Sequence, residues 1–374
     1  MDLTLKKRVL LMTRQTYLIG VDLGTSSTKT AIYQTDGKMV ATASCEVPIY
    51  HPQPGAVEQK NEDFYITAAD TVRDCIIESG INPHQIAGIA FDSQMAGVGS
   101  VDENFNSVTH FDSWLDMRCQ PYIKHLEKYH ADLITRRTGC PPTCDHGPKI
   151  MWWKNEHPNI YQKISKFIMP AGYVVGKMCG LSGEEAYIDH TFLHFTTLAD
   201  TENSVWSDEL CETLGVDKDK LPRIVKPWDK IGEVTNKAAA DFGLAAGTVV
   251  AAGCGDTAAG ALGSGIIKPG QLFDIAGTAS VLASCTSNFV ADVENRALLT
   301  MRSVIPGLYH PLGYIAGGGM VLQWFRDQFF NTFQGEIQPS DSELYNKMTA
   351  LAEKAPPGSE GLLFSPHLGG RVCP

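Results

Sequence analysis

"GVDLGTSSTKTAIY", Gly20 to Tyr33, decides how the chain is read. An apolar run from Tyr17 to Val21 stops at Asp22, passes through Gly24, Thr25, Ser26 and Ser27, and gives way to a second apolar-rich run from Thr28. The pattern predicts a hairpin of two strands whose turn is built from small residues rather than the usual Asn-Gly pair. A related stretch lies far downstream: "FDIAGTASVLAS", Phe273 to Ser284, again an apolar strand with an Asp, then Gly-Thr with a Ser close behind, then a strand. Two such loops predict a duplicated device. A turn of Gly, Thr and Ser offers backbone N–H groups and hydroxyls to an anion, and a carboxylate beside it can face phosphate only across a cation. The same turn is also ordinary hairpin punctuation. On the first reading Gly24, Thr25 and Ser26, with Gly277 and Thr278 opposite, form a phosphate clamp, and Asp22 holds hydrated Mg2+. The pattern GxxxxGK[ST] is absent from the sequence, which excludes a P-loop.

Outward from the hairpin, a "TDGK" turn at Thr35–Lys38 leads to a third strand over Met39–Pro48, and "NEDFYITAADTVRDCIIES" has helical apolar spacing with Asn61 placed to cap it. "QIAGIAFDSQ" reads as a short buried strand, residues 138–197 as mostly helical, and "GTVVAAGCGDTAAGALGSGI" as strand, glycine turn and a helix from about Thr257. "GYIAGGGMVLQWFRDQFF" repeats the strand, glycine turn and helix order. Strands alternating with helices predict an α/β chain.

With 374 residues, 43% hydrophobic and 20% charged, the chain is long enough for two domains. A net charge of −11 without a concentrated run of Lys and Arg argues against a nucleic-acid partner. No stretch reaches the length of a membrane span, and Val9–Met12 is too brief for a signal peptide. Ten scattered cysteines, with Cys140 and Cys144 lacking a matching second pair, suit a reducing cytoplasm better than a zinc site.

"GCGDTAAG" puts Asp256 at a strand-to-helix turn, where a carboxylate either caps the helix or serves as a general base. A hydroxyl attacking a phosphoryl group needs a positioned proton acceptor and little covalent help.

Taken in order, "IGVDLGTSSTKTAIY", "WLDMR" (Trp114–Arg118), "GCGDTAAGALGSG", "IAGTAS" and "GLLFSPHLGGRVCP" resemble the successive motifs of the FGGY carbohydrate kinases. The resemblance implies two actin-like, ribonuclease H-like (ASKHA) domains around a cleft, ATP and Mg2+ as cofactors, and a small-molecule sugar or polyol as substrate. It implies a catalytic base at Asp256, a carboxylate near magnesium at Asp22, and phosphate turns at Gly24–Thr25 and Gly277–Thr278. Gln94, Met95 and Ala96 fall where family members contact the sugar. Xylulose kinases read Met-His and glycerol kinases Arg-Glu at the positions of Met95–Ala96, so neither pattern is met, although the motif wording is nearest the xylulose branch. Asp116 is expected either to contact sugar or to form an internal ion pair. Asp145 and His146 are expected either to bind hydroxyls on the sugar side or to lie in a solvated loop. Trp152 and Trp153 are expected in the core. The divisions expected are an extension at 1–16, a sugar-binding domain at 17–268 and a nucleotide-binding domain at 269–374. Family members continue past the position of Pro374, so the second domain is expected to be partial; a homodimer is in keeping with the family.

Overall fold

In a computed structural model, residues 16–276, 280–315, 317–330 and 340–365 are described. The hairpin forms as read. β1 (Tyr17–Leu23) pairs antiparallel with β2 (Ser27–Gln34), and β2 with β3 (Met39–Glu46). Along β1 the side chains of Tyr17, Ile19, Val21 and Leu23 alternate into the core. They face the helix Asn61–Ser79, which turns Phe64, Ala68, Val72 and Cys75 toward them. Each such side chain removed from water contributes about 1.5–3 kcal/mol if it is a large aliphatic or aromatic one. The hydroxyls of β2 have a structural use: Thr28 and Thr30 are buried and pair with Thr67 and Thr71 of that helix, each at 2.7 Å.

β5 (Ile86–Ser93) lies parallel to β1 on its other side, and the sheet runs β9 (Lys230–Glu233), β10 (Val249–Ala251), β5, β1, β2, β3. β11 (Cys254–Gly255) joins the upper end of β5 and leads straight into the helix Asp256–Gly263. A second, antiparallel sheet contains β4 (Glu58–Gln59), β7 (Ser107–Asp112), β6 (Val98–Val101) and β8 (Lys166–Ile168). Downstream, β12 (Leu272–Ala276), β13 (Ser280–Ser284), β15 (Tyr309–Ile315) and β14 (Leu299–Arg302) form a third, four-stranded sheet. One apolar cluster joins it to the earlier part of the chain, with Phe273, Ala283, Leu299 and Met301 packed in company with Met95, Leu193 and Leu198.

The α/β expectation therefore holds, with local corrections. Asn61 does not cap the helix: Lys60 occupies that position, and Asn61 is buried, giving its amide to Ser107 Oγ and the Thr109 carbonyl, both at 2.8 Å. Residues 138–197 are less helical than read, because β8 separates the helices His146–Glu156 and Pro170–Cys179 and the strand Tyr187–Asp189 follows the second of them. Trp153 is buried and Trp152 half-buried, as core residues should be. Among the described residues no helix is long and apolar enough to cross a membrane. Residues 277–279 and 366–374 lie outside those described, and with them Gly277, Thr278 and most of "SPHLGGRVCP".

Candidate active site

The register of the first sheet decides which side chains meet. Asp22 stands opposite Asp92 across the parallel β1–β5 pair, and Cys254–Gly255 stand opposite Asp92–Ser93. Three strands thus end side by side, and the helix beginning at Asp256 starts where they end. In open parallel sheets this carboxyl end is where ligands bind. Asp22, Asp92 and Asp256 are brought close enough to act on one another. Burial first, then the Asp22 and Asp256 charges, push the Asp92 carboxyl well above its usual range, and it hydrogen-bonds Asp22. Burial raises Asp256 to about 6, against the hydrogen bonds it accepts from the backbone and hydroxyl of Thr257. Asp22 also meets Lys29, its cross-strand neighbour on β2, at 3.2 Å.

Asp92 is the member that sequence reading left out. Its signal was visible: a carboxylate closing the apolar run "IAGIAF", at the same place in its strand as Asp22 in β1.

The turn at residues 24–26 is held from within. Gly24 N–H donates to the Ser27 carbonyl at 3.1 Å, and the exposed Ser26 gives its carbonyl to Val47 N–H at 3.0 Å. The Thr25 hydroxyl accepts from Trp114 Nε1 at 2.9 Å and donates to Gln94 Oε1 at 3.3 Å. Gln94 is buried, and its amide reaches Gln59 at 2.8 Å and the Gly24 carbonyl at 3.4 Å, while Gln59 returns to the Thr25 carbonyl at 3.0 Å. Gln94 is therefore a buckle for the turn.

Met95, also buried, rests against Gly255: a Cβ placed there would stand 2.6 Å from Met95 Cε and Sδ. Ala96 follows in the left-handed region at φ 60°, a conformation costing an L-residue about 1–2 kcal/mol. Gly97 is required by close approach, since a Cβ there would meet the Phe111 ring at 2.2 Å. The segment Gln94–Gly97 is thus clamped between the turn, the start of the Asp256 helix and β7.

Asp116 takes the ion-pair alternative. It is buried, with Oδ2 accepting from Val57 N–H at 2.9 Å and from Arg118 Nε at 2.8 Å. Arg118 also reaches Glu58 and Asp112, each at 2.7 Å, and lies 4.5 Å over the Trp152 ring. Asp112, whose Oδ2 accepts from Trp153 Nε1 at 2.5 Å, is lifted to about 7 by burial against the pull of Arg118. The solvated-loop expectation for Asp145 and His146 is overturned by burial. Asp145 accepts from the Thr197 hydroxyl at 2.5 Å, and His146 lines an internal, largely apolar cavity with Val98, Ile150, Phe167 and Leu198. Desolvation drops His146 to about 3, so it is a neutral ring, and its Nε2 has no hydrogen-bond partner among the described residues.

A family model for the N-terminal domain of the FGGY family of carbohydrate kinases matches residues 17–263, a span containing this whole arrangement. The chain belongs to the FGGY family of carbohydrate kinases. It is a sugar kinase, a phosphotransferase. It is 27% identical over 359 residues to the xylulose kinase of Bacillus subtilis (strain 168), covering 96% of this chain and 69% of that protein. It is equally, at 27% over 364 residues, similar to the gluconokinase of the same organism, with the same coverage. The fold is that of the xylulose kinase from Rhodospirillum rubrum, at TM-score 0.85 and 23% identity, over 96% of this chain and 71% of that one. The xylulose kinase from Brucella ovis superposes at TM-score 0.79 with 26% identity, over 96% of this chain and 70% of that one.

Proposed function

We propose that this kinase transfers the γ-phosphoryl group of ATP to a primary hydroxyl of a neutral ketopentose such as xylulose, with Asp256 as general base. The observation that carries the base assignment is the placement of Asp256 at the meeting of three strand ends, with a carboxyl held near 6 by burial. A base of that pKa is ionised at neutral pH and still basic enough to take a proton late in a loose phosphoryl transfer. The turn at Gly24, Thr25 and Ser26 would offer its backbone to the phosphates, with the Thr25 hydroxyl directed inward. Gly277 and Thr278, outside the described residues, would meet the phosphates as the sequence resemblance implies.

The donor set fits a divalent cation. Asp22 and Asp92 are adjacent, hydrogen-bonded carboxyls, and burial first, then the Asp22 charge, hold Asp92 well above its usual range. A Mg2+ ion held there by Asp22 and Asp92 through water would supply charge neutralisation for the phosphates. Met95 and Ala96 border the base and would meet the sugar. Residues 17–268 would then carry the sugar side and 269–374 the nucleotide side.

Favouring a neutral sugar over a sugar acid is the charge of the site: Asp22, Asp92 and Asp256 stand together, while Arg118 is committed to three carboxylates. A substrate carboxylate would enter against that field. Cytoplasmic location is in keeping with the nine described cysteines being free thiols.

The test is a coupled ADP-release assay of the purified chain with Mg-ATP against xylulose, gluconate and glycerol. Xylulose is expected to give the highest kcat/KM, and Asp256→Asn to lose about 10²–10⁴-fold in kcat while keeping sugar affinity by calorimetry. Turnover retained by Asp256→Asn would sink the base assignment; gluconate as the best substrate would sink the substrate class.

A further inference from the structure

Beneath the "WLDMR" loop lies a group of side chains that phosphoryl transfer does not use. Cys119 ends that loop and immediately precedes the helix Gln120–Tyr129; Cys144 stands two residues before the start of the helix His146–Glu156, next to Asp145. Their sulfurs are 3.8 Å apart. Lys149, fully buried, brings its ammonium to 2.9 Å from Cys144 Sγ and also donates to the carbonyls of Cys144 and Asp116 at 3.0 and 3.2 Å. Cys119 is buried, whereas Cys144 is partly exposed.

We propose that Cys144 is a peroxide-reactive thiol and that Cys119 resolves it into a disulfide.

Three features support this. First, two donors converge on Cys144 Sγ, the Cys119 thiol and the Lys149 ammonium. The Cys119 hydrogen bond and then Lys149 hold the Cys144 thiol well below its ordinary value, against its burial and the Asp116 charge. The Cys119 thiol is shifted the opposite way, chiefly by the same hydrogen bond. The other groups facing the pair are Asp145 and Asp116, whose charge raises the Cys144 thiol and whose main-chain carbonyl accepts from that thiol at 2.6 Å, while Asp112 faces Lys149. The carbonyl is a dipole, and the ammonium facing the same sulfur carries a full charge in a dry setting. Burial works against the Lys149 charge, but the two sulfurs and Asp112 raise its pKa above the ordinary value, so it stays protonated. Second, a thiolate is the nucleophile in thiol oxidation, and a low-pKa, accessible cysteine beside a resolving one is what a redox-sensitive site requires. Third, the sulfurs already stand 3.8 Å apart and need to close by roughly 1.8 Å to reach bonding distance.

The chemistry balances with a hydroperoxide as oxidant. The Cys144 thiolate attacks one peroxide oxygen, an S–O bond forms, the O–O bond breaks, and the leaving hydroxide takes a proton to become water. The Cys119 sulfur then attacks the sulfenic sulfur of Cys144. An S–S bond forms, the S–O bond breaks, and the thiol proton leaves with the hydroxyl as a second water. Two thiols lose two electrons and the peroxide gains them.

Trypsin cutting after Arg118, Lys124, Arg137 and Lys149 places Cys119 in the peptide 119–124 and Cys144 in 138–149. The experiment treats the full chain with hydrogen peroxide, blocks remaining thiols, digests and sequences the peptides by mass spectrometry. Cys45 on β3 is the internal reference thiol. Expected are a Cys119–Cys144 cross-link reversed by dithiothreitol, and iodoacetamide labelling of Cys144 at neutral pH at least about ten-fold faster than of Cys45. Cys119→Ser is expected to leave a sulfenic acid on Cys144 that dimedone traps. A cross-link through Cys140 instead, the absence of any cross-link, or Cys144 labelling no faster than Cys45 would each overturn the proposal. The wild-type labelling comparison needs no variant to fold.

Discussion

Replacing Gly255 by alanine tests whether the base is positioned by packing. The backbone is not the obstacle, since Gly255 has φ −70°, which any residue adopts. What the new Cβ meets is Met95, at 2.6 Å from Cε and Sδ and 3.1 Å from Cγ. The far end of a methionine can move, but this one is 6% exposed and moves only into a packed cluster. Overpacking of this kind costs about 1–3 kcal/mol, offset by about 0.4–1 kcal/mol from the stiffer unfolded chain. A net loss of about 1–2 kcal/mol is expected. The larger effect falls on chemistry, because Asp256 is the next residue and displacement of a catalytic group by about 1 Å can cost about 10²-fold. Kinase turnover and thermal unfolding of Gly255→Ala, Met95→Ala and the double variant separate the two effects. Gly255→Ala should lose at least about ten-fold in kcat. Adding Met95→Ala should restore much of the kcat while lowering stability further, since a truncated core Met costs about 2–5 kcal/mol. A Gly255→Ala enzyme with wild-type kcat, or a double variant no faster than the single, would refute the reasoning.

The acid limb of kcat/KM should fall near pH 6, because Asp256, raised to about 6 by burial, must be ionised to accept a proton; a limb near pH 4 would contradict it. Trp114→Phe removes the donor to Thr25 Oγ1, 2.9 Å away, and at about 1 kcal/mol for that bond should raise the KM for ATP several-fold with little change in sugar KM, measured by steady-state kinetics. Arg118→Met strands Glu58, Asp112 and Asp116 without their cation and should cost about 3–5 kcal/mol in denaturant unfolding at pH 8. That cost should shrink at pH 6. The folded pKa of Asp112, about 7, lies above its unfolded value, so its buried charge burdens the fold above pH 7 and the burden is relieved as protonation sets in below it.

The hairpin, the strand before Asp256 and the helix after it were legible because apolar alternation, helical spacing and glycine punctuation all act over a few neighbouring residues. Asp92 was not singled out, because its importance comes from register: β5 must lie parallel to β1 before Asp22 and Asp92 become neighbours. Asn61 looked like a helix cap for a local reason, and a non-local one prevailed when β7 offered its amide better partners. Gln94 could be placed beside the sugar by motif position, but its three hydrogen-bonding neighbours lie up to 70 residues away in the chain. Asp145 and His146 are polar residues in a polar stretch, and only the packing of Thr197 and the cavity wall against them explains their burial.

The Trp114–Thr25–Gln94 chain of hydrogen bonds has a consequence for anyone redesigning this enzyme. The loop that includes Trp114 and Asp116 is a natural place to graft a different sugar preference. Its indole is also the outer fastener of the turn at residues 24–26, and Gln94, the inner fastener, sits one residue before Met95. On the proposed function, acceptor choice and donor handling would be wired through the same few atoms. Loop swaps that discard Trp114 would alter nucleotide use whatever sugar they were selected for, and grafts that retain the Trp114, Gln94 and Gln59 set would leave it intact.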